Sequence, residues 1–127
     1  MVRETVICII IIISILVLDV VTQNFTKNTV SEVTEIFSEL KENILKKDEN
    51  EINNSIKKLD EKWGDSHDKL AYYIEHDELE KVDTAIVTMK AYIETNDYSS
   101  AIAELDEGKF VLEHIKDKYA FNLKNVF

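Results

Sequence analysis

Three histidines, one cysteine and a large excess of carboxylates are the side chains here with the chemistry to form a reactive or metal-binding site. A di-iron helical bundle requires Glu-x-x-His on facing helices. The residues three before His67, His76 and His114 are Gly64, Tyr73 and Val111, so that pattern is absent. The His-Glu-x-x-His spacing of a helical zinc site is absent too. His76, flanked by Glu75, Asp77 and Glu78, has the oxygen-rich composition of a weak cation site. Consecutive acids more often start a helix, and capping is the reading adopted, so no metal is assigned. His114 follows Glu113 near the end of the last expected helix, where an imidazolium complements the helix dipole. No serine sits in a glycine-framed elbow, no glycine-rich phosphate loop occurs, and carboxylates are too plentiful to single out a pair. The expectation is a protein with no catalytic residues and no cofactor. Trp63 falls on an apolar seam and reads as core before it reads as a recognition residue. Asn24-Phe25-Thr26 and Asn53-Asn54-Ser55 match the N-glycosylation pattern.

The element that positions everything else is Thr5–Val21, a run of Ile, Val and Leu interrupted by Cys8, Ser14 and Asp19. As a helix its seventeen residues span roughly 25 Å, against about 30 Å for a typical hydrocarbon core, and Val2 and Thr22 extend it. It reads as one membrane-spanning helix, with Cys8 facing lipid as a small apolar side chain. No Ala or Gly follows the run to mark a small-residue cleavage site, so an uncleaved anchor is expected over a removed signal. Arg3 and the amino terminus, with little basic charge beyond the span, favour a cytoplasmic N-terminus and an extracytoplasmic domain. Asp19 lies near the far interface, within reach of water, and needs no functional role there.

The division expected is an anchor over residues 1–23 and a helical domain over residues 24–127. That domain carries 14 basic and 23 acidic residues, a net charge of −9. Nucleic-acid binding, which needs Lys and Arg to displace phosphate counterions, is excluded as a function class. There is no proline, and the two glycines are Gly64 and Gly108. With Glu, Lys, Leu and Ile dominant, the class is all-α.

Val30, Val33, Phe37, Leu40 and Ile44 are spaced three, four, three, four along a first helix ending near Lys46-Lys47. Asp48 caps the second, which carries Ile52, Ile56, Leu59, Trp63, Leu70 and Ile74. Asp77 is the expected cap of the third, with Glu80 as its partner; Leu79, Val82, Ile86, Met89 and Ile93 form its seam. Asp97 caps the fourth, with Ala101, Ile102, Leu105, Leu112 and Ile115. Leu40, Ile56, Leu59, Met89, Leu105 and Leu112 are expected to share one core. Gly64 invites either a close helix approach or a bend, and Gly108 a close approach.

A shift of 49 residues superposes the seams: Val30 on Leu79, Leu40 on Met89, Lys41 on Lys90, Asp48 on Asp97. Equal periods alone do not align the capping aspartates and the lysines. The fold expected is therefore an N-terminal transmembrane helix continuing into an antiparallel four-helix bundle, built from two similar helical hairpins.

Trp63, His76-Asp77-Glu78, Leu112-Glu113-His114-Ile115 and the ending Asn122-Leu123-Lys124-Asn125-Val126-Phe127 resemble a family of small bacterial proteins of unknown function. Its members share this length, the hydrophobic anchor and the acidic helical domain. The resemblance implies a bacterial envelope protein and brings no known reaction or ligand. Two functions are weighed: a structural or interaction component engaging another envelope protein, and an extracytoplasmic bundle sensing a small ligand or cation through a membrane partner. The interaction surface expected combines Glu75, His76, Asp77, Glu78 and His114 with the apolar tail residues Phe121, Leu123, Val126 and Phe127.

Overall fold

The structure, a computed structural model, describes residues 1–120, which form four helices and, among them, no strand. They are α1 (Val2–Leu45), α2 (Glu49–Leu70), α3 (His76–Glu94) and α4 (Tyr98–Ala120). The expectations placed on Phe121, Leu123, Val126 and Phe127 fall outside the described residues.

α1 runs 44 residues without a break, about 65 Å. The apolar run of its first half is left largely uncovered. No residue of its most apolar 18-residue window is buried, and Ile7, Ile10, Ile13 and Val17 are as open as Ile9, Ile12 and Leu18. The helix is long and apolar enough to cross a membrane. Its second half buries the predicted stripe Val30, Val33, Phe37, Leu40 and Ile44.

Cross-links between helices give the topology. Along α1 and α2, Thr26 meets Tyr73, Glu39 meets Lys58, and Asn43 meets Ser55, so the two run antiparallel. Glu78–Lys118 at the start of α3 and end of α4, and Lys41–Asp106 between α1 and α4, continue the up-down alternation. α3 packs closely on α4, and α1 on both α2 and α4. Polar side chains bridge α2 and α3: Asp60 pairs with Lys90, and Trp63 and His67 both reach Asp83. Of the six expected core residues, Leu40, Leu59, Met89, Leu105 and Leu112 are buried, and Ile56 is partly buried against them.

The two hairpins repeat in atomic detail. At the first turn Lys47 has φ 55° and at the second Asn96 has φ 59°. The Asp48 and Asp97 amides donate to the Asn43 and Tyr92 carbonyls, and the Lys47 and Asn96 amides to the Ile44 and Ile93 carbonyls. Both turns are thus Schellman motifs 49 residues apart. The Asp48 and Asp97 carboxylates then accept from the Glu51 and Ser100 amides, capping the next helix as the sequence predicts. The repeated lysines also do equivalent work across the hairpins: Lys41 pairs with Asp106, and Lys90 with Asp60.

The middle turn departs from expectation. α2 stops at Leu70, and Ile74 lies in the turn that follows rather than in the helix. α3 then begins at His76 with Glu75, not Asp77, at its N-cap, and no side chain caps it. Ile74 and Leu79 flank this start and are both buried, the arrangement of a hydrophobic staple. Apolar burial sets the entry point, leaving Asp77 two residues too far inside to cap.

The glycines differ. A Cβ at Gly108 on α4 would lie 2.8 Å from Phe37 Cε2 and 3.5 Å from Ala85 Cβ, so this is the expected close approach. At Gly64 a Cβ would meet nothing within 4 Å, so no helix approach requires that glycine. Gly64→Ala should therefore stabilise by up to about 1 kcal/mol through helix propensity. Gly108→Ala should lose that gain and more, since overpacking costs about 1–3 kcal/mol. Urea midpoints of the two variants moving in the same direction would contradict this packing.

Candidate functional site

The apolar half of α1 enters the bundle at the end holding the α2–α3 turn and the last turn of α4. Two polar clusters form there. In the first, Tyr73 from the turn reaches α1: its hydroxyl lies 2.6 Å from Thr26 Oγ1 and donates to the Thr22 carbonyl at 3.2 Å. Thr26 is buried, and its single hydroxyl proton serves either the Tyr73 oxygen or the same Thr22 carbonyl 2.8 Å away, so the pair locks the turn to the helix. Burial pushes the Tyr73 phenol above its ordinary pKa, with the Thr26 hydrogen bond opposing in part. One helical turn toward the apolar run, Gln23 Nε2 donates to Asp19 Oδ2 at 2.7 Å. Tyr119 of α4 completes the group, packing edge-on to Tyr73 with ring centroids 6.5 Å apart.

The second cluster is built on α3. The Glu75 backbone N–H donates to the Tyr119 hydroxyl at 2.9 Å, tying the helix start to α4. Lys118 lies 3.4 Å from Glu78 Oε1 and 3.7 Å from Glu75 Oε2. Desolvation works to lower the Lys118 pKa, but the Glu75 and Glu78 carboxylates outweigh it and hold the ammonium above its ordinary value. Glu78 is only 7% exposed, and its Oε2 has no hydrogen-bond partner among the described residues.

The expected surface is thus only partly assembled. Glu75 and Glu78 converge on one lysine, which takes the place imagined for a cation. His76 is exposed beside Glu80 at 3.8 Å, and Asp77 is exposed in the first turn of α3. His114 is exposed on α4 six residues before its last described residue, ahead of the last described turn, which Lys118 occupies. Among the described residues no group of three or more His, Cys, Asp or Glu is placed to hold a metal.

Sequence reasoning missed a third feature. Trp63 is buried, as its seam position predicts, but its Nε1 donates to Asp83 Oδ1 at 2.6 Å. His67 Nε2 lies 3.1 Å from the other oxygen of Asp83, and its ring packs edge-on to Trp63 at 5.8 Å. The i, i+4 spacing of Trp63 and His67 carried half of this signal. Asp83, on another helix, carried the other half, invisible to periodicity.

Open grooves on the two hairpins repeat as the turns do. Glu32, Glu35, Ile36, Glu39 and Lys58 line one between α1 and α2; Lys81, Thr84, Ala85, Thr88 and Glu107, each 49 residues on, line the other between α3 and α4. Exchanging Glu32 for Lys81 and Lys58 for Glu107 reverses the local charges. The α1–α2 groove is crossed by Lys58–Glu39 and Lys62–Glu32 ion pairs. Being solvent-exposed, such pairs contribute little stability and do not mark a binding site.

The family described as Domain of unknown function (DUF4363) matches residues 20–126 of the chain. Among curated proteins and solved structures nothing matches.

Proposed function

The chain belongs to the DUF4363 family of unknown function, and from that premise we propose that it is a membrane-anchored structural or interaction component of the bacterial envelope. Its apolar helix would cross the membrane with the N-terminus cytoplasmic, holding the acidic bundle outside the cell membrane to engage another envelope protein. The observation that carries this reading is the continuity of α1. One unbroken helix carries an apolar, unburied 18-residue window in its first half and a core-forming stripe in its second. Such a joint fixes the bundle rigidly against the bilayer, which suits a scaffold better than a tethered domain. The reading assigns the protein no catalytic step.

Affinity capture of the full chain from detergent-solubilised membranes tests it. One membrane protein should co-purify in constant ratio. Asp77→Lys, a change at an exposed position of the predicted surface, should reduce that yield. Recovery of the chain alone, with and without chemical cross-linking, would reject the interaction role.

A further inference from the structure

Asp19 is the one acidic residue embedded in the apolar run, and it is partly buried against the bundle. Its Oδ2 accepts from Gln23, and it forms no ion pair among the described residues. Nearby, Lys118 is engaged with Glu75 and Glu78, and Lys69 lies 5.8 Å from the Phe25 ring centroid. With Gln23 as the one side-chain partner of its carboxylate among the described residues, Asp19 keeps an acceptor oxygen open to a cation. Beside it is a cavity of about 150 Å³ lined by Asp19, Thr22, Gln23, Thr26, Tyr73 and Tyr119.

The lining chemistry is selective. A carboxylate, the Thr22 hydroxyl and the Gln23 amide carbonyl offer acceptors to a group with several N–H donors. Tyr73 and Tyr119, packed edge to face, add aromatic surface, and a ring face turned to the cavity attracts cations. One ammonium already lies by these rings, Lys118 Nζ at 5.8 Å from the Tyr119 ring centroid. One carboxylate is too few ligands for a divalent ion, which takes about six to eight oxygens. The geometry points to an ammonium site: the cavity binds a primary amine, with Asp19 as counter-ion and Tyr73 and Tyr119 as its walls. The placement of Asp19 at headgroup depth rests on the anchor reading above. A phosphatidylethanolamine headgroup and a free amine such as ethanolamine share this chemistry.

The test uses the full chain in phosphatidylglycerol nanodiscs, with or without phosphatidylethanolamine, and follows unfolding by the fluorescence of Trp63, which is buried and the chain's single tryptophan. The ethanolamine lipid should raise the melting temperature by roughly 5 °C through ligand linkage. Asp19→Asn, which keeps the side chain's shape, and Tyr119→Leu should each lose that increment. Free ethanolamine added to discs without the amine lipid separates the sources. An equal rise identifies a soluble amine, and no rise beside a lipid effect identifies the headgroup. No amine effect in the parent chain, or one that survives Asp19→Asn, overturns the site. Failure of the chain to enter nanodiscs would instead defeat the anchor reading.

Discussion

Leu40→Ala should lower the unfolding free energy by about 2–5 kcal/mol, and Met89→Ala should do the same. The two residues are 49 apart, occupy the same place in the two hairpins, and are both fully buried. Each truncation removes several methylene-sized groups and leaves a void that neighbours on three helices must close. Both belong to one continuous buried cluster that draws on all four helices. A domain this size has about 5–15 kcal/mol of stability in all, so either change takes a large share. Leu45→Ala is the control, because Leu45 ends the same helix but is largely exposed; it should move the urea midpoint hardly at all. If Leu40→Ala and Met89→Ala left the midpoint where Leu45→Ala does, the shared core would be wrong.

What could be read from the sequence was whatever repeats at helical spacing or ends a helix locally. The three-four seams located every helix, because each buries a single stripe. The turns at Asp48 and Asp97 were legible for a related reason: the cap and the helix it starts are adjacent in sequence. The middle turn misled because the acids of Glu75–Glu78 look like caps, whereas burial of Ile74 and Leu79 decides where α3 starts. Gly64 and Gly108 sit in similar helical contexts, and only the position of Phe37 separates them. The polar clusters were illegible for a different reason. Asp83 with Trp63, Glu78 with Lys118 and Tyr73 with Thr26 are pairs separated by 20, 40 and 47 residues. Nothing in periodicity marks which carboxylate among 25 will find which partner.

Ile10→Arg combined with Ile13→Arg should move the protein from the membrane to the soluble fraction while leaving the bundle folded. Both positions lie near the middle of the apolar run, and both side chains are exposed in the structure, so no packed contact is lost. An arginine at the centre of a spanning helix costs about 2.5–3.5 kcal/mol on insertion scales, and each favourable aliphatic residue returns about 0.3–0.6 kcal/mol. One substitution can therefore be absorbed by a run this long. Two remove about 5–7 kcal/mol plus the lost isoleucines, which is comparable with the whole driving force of the segment. The bundle should be indifferent, because its buried stripe begins at Thr26 and residues 2–18 contribute nothing to it. Fractionation with circular dichroism of the released protein reads both halves of the expectation. A variant that remains in the membrane would show that something other than the apolar helix holds it there. Mass spectrometry of the parent chain's N-terminus separates anchor from signal. A mature chain starting near Gln23 or Asn24 would mean that the run is removed after export. Asp19 would then be lost with it, so the anchor and the amine site would fall together, whereas the bundle fold, which needs neither, would stand.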